Sequence, residues 1–288
     1  MVATARQYWE PDWEPDYEEV EESRPRDPVV DQAKNEIREF FKPERSGVFY
    51  KQQLEVIFED TYFHWVTSRA LSELVAEGHI AAEAESLSGA LGIVFYHHPS
   101  HRYWRRRARE IIGLVSQFSN PAFTAALGAQ GEMLFDAALP TAGFIPTGRK
   151  VRSYSGRIWE ETGHDLDRVF ERDGIAYGTE IKNTLKYISR EELTIKLRMC
   201  KHLGLRPLFI VRMAAKSYIN EVRLQGGYTL VVKHQLYPFG QKAFADVVRE
   251  SLRLPVDCPG RIADGTVQRY LNWHLKQLQK SGEPPDQG

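Results

Sequence analysis

The sequence predicts an α/β protein: an αβ sandwich around a mixed sheet, preceded by a smaller and mainly helical domain. Three observations carry this. Between residues 131 and 232 the apolar pattern runs helix, hairpin, helix, strand, helix, strand, an order that packs helices on a sheet. The hairpin is marked by Asp173-Gly174, the dipeptide a two-residue type I′ turn prefers because both central positions need φ > 0. Ahead of residue 80, three segments repeat apolar residues at helical spacing. The expected divisions are 1–28, 29–98, 99–120 and 121–288.

At 288 residues the chain can bury more than one core. It has no run of about 18 apolar residues, so no membrane span is expected, and its start lacks the apolar stretch of a signal peptide. Cys200 and Cys258 are the only cysteines and show no metal-ligand or redox spacing. A reducing cytoplasm is the expected compartment. Residues 1–30 hold nine acids against three arginines, so within a net charge of −1 the remainder carries a surplus of five positive charges. An acidic arm on a mildly basic body is compatible with nucleic-acid binding.

Residues 1–28 read as a disordered arm. Trp9-Glu10-Pro11-Asp12 repeats at once as Trp13-Glu14-Pro15-Asp16, and Tyr17 keeps the spacing. Prolines and acids without an apolar period argue for extended chain. Such an arm is either a passive tail or docks on a basic groove, its own or a protein partner's.

Val30, Ala33, Ile37, Phe40 and Phe41 make the stripe of a first helix that Pro43 stops. Leu54, Val56, Ile57 and Phe58 mark a second, over about 51–59. Val66, Ala70, Leu71, Leu74 and Val75 mark a third, over about 63–77, ended by Gly78. His79–Ala82 and Gly92–Tyr96 read as two hairpin strands. Three helices and then a hairpin, with ALSELVAEGHI at the junction, resemble a winged helix-turn-helix domain over residues 29–98. The resemblance implies DNA contact through His64, Thr67, Ser68 and Arg69 near the front of the third helix, or a protein-docking role instead.

Residues 99–120 read as a basic connecting helix. Trp104, Ala108, Ile111, Val115 and Phe118 form its apolar stripe, and Arg102, Arg105, Arg106 and Arg109 cluster on the other side beside Tyr103. Arginines this dense suit phosphate contact; a solvated helix face is the plain alternative. His97, His98 and His101 offer metal ligands in principle, but without a nearby cysteine or carboxylate they read as polar loop or helix-start residues, with a metal role as the lesser alternative.

Asn120-Pro121 breaks the chain, and a helix follows over 131–139, ended by Pro140. Glu132 precedes Phe135 and Leu139 at helical spacing, which sets an acid on or beside the buried face. That is expensive unless the acid is paired or uses its charge, although a first-turn acid also suits the helix dipole. After the hairpin, Leu193, Ile195, Leu197, Cys200 and Leu203 line a helix capped by Gly204. Pro207–Val211 reads as a buried strand, and a further helix and the strand Tyr228–Val232 follow. Two helices close the chain, the last over about 267–278.

If Asp173-Gly174 form the loop, paired hairpin positions sum to 347, which sets Asp167 opposite Glu180 and Asp165 opposite Lys182, all on one face. Facing carboxylates repel by up to about 1 kcal/mol. A hard divalent cation such as Mg²⁺ is the natural compensation, with Lys182 beside it to touch a scissile phosphate or orient a water. The plain alternative is a solvated face with ordinary salt bridges.

Glu132 on a leading helix, Asp167 on a strand and Glu180-Ile181-Lys182 on the next resemble the PD-(D/E)XK nuclease superfamily, the restriction-endonuclease-like fold. The resemblance covers residues 128–235 and is closest to the Holliday junction resolvase and restriction-like branches. It implies that Asp167 and Glu180 bind catalytic Mg²⁺, for which Mn²⁺ substitutes, and that Glu132 completes the metal shell. Lys182 then assists the attacking water or the developing phosphorane charge. Leu166 stands where the superfamily has its proline, and Asp165 leaves two aspartates open as the ligand. The implied activity is Mg²⁺-dependent phosphodiester hydrolysis: a DNA endonuclease of restriction, repair or defence type, dimeric where two strands are cut. The alternative is a non-catalytic winged-helix DNA-binding or regulatory protein on a nuclease-like scaffold.

Overall fold

The computed structural model describes residues 27–87 and 90–281, so the acidic arm with its Trp9 and Trp13 repeat lies outside the described residues. The backbone divides into two compact units between Gln117 and Phe118, which groups the basic helix with the first unit.

The first unit contains α1 (Pro28–Phe41), β1 (Val48–Tyr50), α2 (Lys51–Phe58), α3 (His64–Ala76), β2 (Ala81–Leu87), β3 (Ala90–His97) and α4 (Trp104–Phe118). Asp27 starts α1 by accepting the Val29 N–H at 3.0 Å, with Pro28 in the first turn where its missing N–H costs nothing. Val30, Ala33, Ile37 and Phe41 then pack on Val66, Ala70, Leu71 and Leu74 of α3. The sheet is antiparallel in the order β1-β3-β2, with Val48 opposite His97 and Tyr50 opposite Phe95. β1 was not expected from the sequence, because three consecutive apolar residues show no period.

The second unit contains α5 (Pro121–Ala138), a 3₁₀ turn at Leu139–Ala142, β4 (Ile145–Val151), β5 (Ser153–Tyr154), β6 (Arg157–Ile158), β7 (Leu166–Arg172), β8 (Ile175–Lys182) and α6 (Arg190–Leu203). β9 (Arg206–Val211), α7 (Lys216–Leu224), β10 (Tyr228–Val231), β11 (Gln235–Leu236), α8 (Lys242–Leu252), β12 (Val256–Asp257) and α9 (Asp264–Ser281) follow. Its main sheet is mixed: order β10-β9-β8-β7-β4, parallel from β10 to β8 and antiparallel from β8 to β4. One face packs Ile181, Leu208, Ile210 and Leu230 against Leu134 and Phe135 of α5 and Tyr270 of α9. The other packs Phe209 and Val211 against Leu193 and Leu197 of α6 and Val222 of α7. The expected α/β class with a mixed sheet is therefore found. Among the described residues no helix is long and apolar enough to cross a membrane.

The β7–β8 ladder runs from Arg168 opposite Thr179 to Arg172 opposite Ile175, the predicted register. Asp173 at φ 49° and Gly174 at φ 70° make the left-handed turn. The turn is tied down from a distance: His274 of α9 bonds Asp173 Oδ2 through Nε2 and the Tyr177 hydroxyl through Nδ1, each at 2.7 Å.

Gly178 of β8 lies under α6, where a Cβ would come 2.8 Å from both Cys200 Sγ and Leu166 Cδ1. Gly178→Ala is expected to destabilise the protein by about 1–3 kcal/mol through overpacking, read as a lower urea midpoint at unchanged slope.

Candidate functional site

Three elements converge one rung beyond the end of the hairpin ladder. Asp167 of β7 turns its carboxylate onto β8, where Oδ2 accepts the Ile181 N–H at 2.7 Å. Glu180 of β8 is 2 % exposed and is held from two sides, Oε1 lying 3.0 Å from Lys182 Nζ and Oε2 lying 2.6 Å from Lys196 Nζ. Lys182 also reaches Glu192 Oε1 at 2.6 Å, and Lys196 donates to the Asp165 carbonyl oxygen. α6 can supply Glu192 and Lys196 together because they stand one helical turn apart. Ser189 starts that turn by accepting the Glu192 N–H at 3.1 Å.

Three carboxylates thus share two ammonium groups. Burial, and next the charge of Glu180, push the Asp167 carboxyl up to about 6; the Ile181 N–H and the two lysines pull the other way. Burial pushes the Lys182 ammonium down, but Glu180 and Glu192 more than offset it, and its pKa ends raised. The site therefore holds a firmly charged lysine beside a carboxyl that ionises near neutrality. Cys200 takes no part as a nucleophile, since burial and then Glu180 push its thiol up to about 12.

Asp167 and Glu180 suit a hard divalent cation. Both offer oxygen donors, and among the described residues Glu180 Oε2 accepts no aligned hydrogen bond despite its ion pair with Lys196. Mg²⁺ or Mn²⁺ held by two carboxylates keeps its other positions for water or phosphate oxygens. Among the described residues no three His, Cys, Asp or Glu side chains gather as a metal-binding group.

Glu132 does not supply a third carboxylate to this pair. Its Oε2 lies 2.8 Å from Arg168 and 3.5 Å from Arg149, and Arg168 also grips Asp136 through two bonds of 2.7 Å. Arg168 pairs with Thr179, so it points to the face of the hairpin opposite Glu180, toward α5. The acid on the buried face of α5 was correctly expected to need a partner. That partner is a guanidinium only 2 % exposed, which must be matched by carboxylate. Asp165, expected opposite Lys182, precedes β7 and enters through its backbone carbonyl.

Of the residues expected to face a DNA groove, Thr67 is fully buried, because α3 turns the side of Val66, Thr67, Ala70 and Leu71 inward. His64 is half-buried, and burial together with Lys51 lowers its pKa. Ser68 donates to Glu55 at 2.7 Å, and Arg69 lies 3.5 Å from Glu73. The basic helix matches its reading: Trp104, Ala108, Ile111, Val115 and Phe118 are buried, while Arg102, Arg105, Arg106 and Arg109 are exposed. Tyr103 beside them is 80 % exposed. Arg105 lies 4.7 Å from the Trp104 ring and 3.4 Å from Glu85, and Arg106 lies 3.8 Å from Glu110.

Sequence reasoning missed Lys196, Glu192 and Arg168. The first two carried a signal, since Glu192 and Lys196 stand four apart and Lys196 falls between Ile195 and Leu197 on the packing side of α6. A lysine in that position needs a buried acid. No protein-family model, curated protein or solved structure matches this chain, so its chemistry rests on these side chains.

Proposed function

We propose that the second unit is a metal-dependent phosphodiesterase of the PD-(D/E)XK type, with DNA as the substrate class, and that the first unit is a winged helix that binds nucleic acid. The observation that carries the proposal is half-buried Asp167 against buried Glu180 with Lys182 beside them, a carboxyl pushed up to about 6 next to a second acid. Bound Mg²⁺ supplies a water of lowered pKa and offsets charge on the phosphate. Asp167 and Glu180 hold the cation. Lys196 aims Glu180 through its ion pair, and Lys182, held charged by Glu180 and Glu192, places a positive group where phosphorane charge develops. For the first unit, support comes from the order α1, β1, α2, α3, β2, β3 with β1 closing a three-stranded sheet, and from the exposed arginines of α4.

A cleavage panel over duplex, flap, junction, single-stranded DNA and RNA, with Mg²⁺ or EDTA, tests the activity. Cutting is expected with Mg²⁺ only and lost in Asp167→Ala/Glu180→Ala; cutting that survives in that variant sinks the assignment. DNA binding by a folded wild type that cuts no substrate would favour the non-catalytic alternative. Arg106→Ala/Arg109→Ala is expected to weaken DNA binding and to flatten the dependence of log K on log salt by about one for each phosphate no longer neutralised. An unchanged slope would remove α4 from the interface.

A further inference from the structure

We propose that His97 and His101 form a two-histidine site for a borderline transition-metal ion, Zn²⁺, Ni²⁺ or Cu²⁺, at the junction of β3 and α4. One carbonyl builds the site. The His98 oxygen lies 2.9 Å from His97 Nδ1 and also accepts the His101 backbone N–H at 2.9 Å. The two rings are thereby brought to 6.2 Å between centroids, at 84° to each other.

A carbonyl oxygen only accepts, so His97 Nδ1 carries the ring proton and Nε2 is left with the lone pair. His97 is 3 % exposed, and among the described residues neither its Nε2 nor the buried Nδ1 of His101 has a hydrogen-bond partner. A buried ring nitrogen without a partner bears its full desolvation penalty. An imidazole whose far nitrogen donates to a carbonyl is the usual form of a metal-binding histidine, and an ion about 2 Å from each nitrogen would draw the two rings somewhat closer than their 6.2 Å spacing. Imidazole suits zinc, nickel and copper rather than the hard cations of carboxylate sites.

The surroundings fit. The His97 ring stacks on Trp104 at 5.0 Å and 15°, which fixes its plane. Arg105, over the Trp104 ring, lies 3.4 Å from Glu85, which answers its charge. His98 turns away, its Nδ1 lying 2.7 Å from Ser100 Oγ. Among the described residues no third His, Cys, Asp or Glu completes a metal-binding group, so the ion keeps water in its other positions. Occupancy would staple the end of β3 to the turn that leads into the arginine-bearing helix.

The test uses the untagged full chain carrying Asp167→Asn, so that the hairpin carboxylates do not compete, titrated with Zn²⁺ and Ni²⁺ by calorimetry. One ion per chain is expected, with partial quenching of tryptophan emission by Ni²⁺ through Trp104 and a metal-dependent rise in Tm. His101→Ala, a change at a partly exposed position, should weaken binding by more than about tenfold, and His98→Ala should not. His101→Asn serves where the alanine variant folds poorly. Uptake unchanged in both His101 variants, or no stoichiometric uptake by the histidine-intact protein, would overturn the site and leave a bridging water as the partner of the two nitrogens.

Discussion

Glu180→Ala is expected to cost about 3–5 kcal/mol of folding stability, beyond any loss of activity, because it strips the carboxylate from a buried lysine. Lys196 is 5 % exposed and would keep only the Asp165 carbonyl among its described partners, while Lys182 would keep Glu192. Most of that loss should return in Glu180→Leu/Lys196→Met, where no charge is left unpaired. Urea unfolding of Glu180→Leu, Lys196→Met and the double variant measures the coupling. Strictly additive effects would show that the ion pair does not hold β8 to α6. Glu180→Gln, which keeps shape and loses charge, separates geometry from electrostatics.

Asp167→Asn is expected to abolish metal-dependent cleavage and yet to stabilise the protein at pH 7.5. A carboxyl with a folded pKa of about 6 holds its proton more tightly than the unfolded chain, where aspartate titrates near about 3.9. The folded state is therefore favoured below the lower value, and that advantage is lost as pH rises toward the upper one. Above about 6 the full penalty of a buried, repelled carboxylate is present, of order 1–2 kcal/mol after allowance for solvent screening. The asparagine variant should gain that amount at pH 7.5 and nothing at pH 4. Added Mg²⁺ should raise the Tm of the wild type and not of the variant. Parallel stability curves for the two proteins between pH 4 and 8 would refute the strained-carboxyl account.

What could be read in the sequence was whatever local chemistry decides. Asp173-Gly174 fixes the hairpin register because few other residues accept two successive positive φ angles, and five described rungs follow the predicted pairing. The α4 stripe was legible because amphipathicity is local. β4 was not: it is an exposed edge strand with Pro146, a bulge before Gly148 and Lys150 at φ 48°, so it has no alternation to detect. α5 begins at Pro121 under an Asn120 cap, earlier than expected, because Ala125, Ala126 and Gly128 carry little apolar signal. Glu132 shows the limit most clearly. Its place beside the buried face could be inferred from spacing, but whether a metal or Arg168 answers its charge depends on which face of β7 lies beneath α5.

The bond from His274 to the hairpin turn bears on how the second unit folds. Its partners lie 97 and 101 residues upstream, so a turn that forms locally within microseconds is secured only when the end of the chain arrives. Closing so long a loop is slow relative to local structure. The β7–β8 amides near Asp173 should thus gain their full hydrogen-exchange protection in the last kinetic phase. Shortening the chain before α9 would leave the turn formed but its buried tyrosine and aspartate without their histidine.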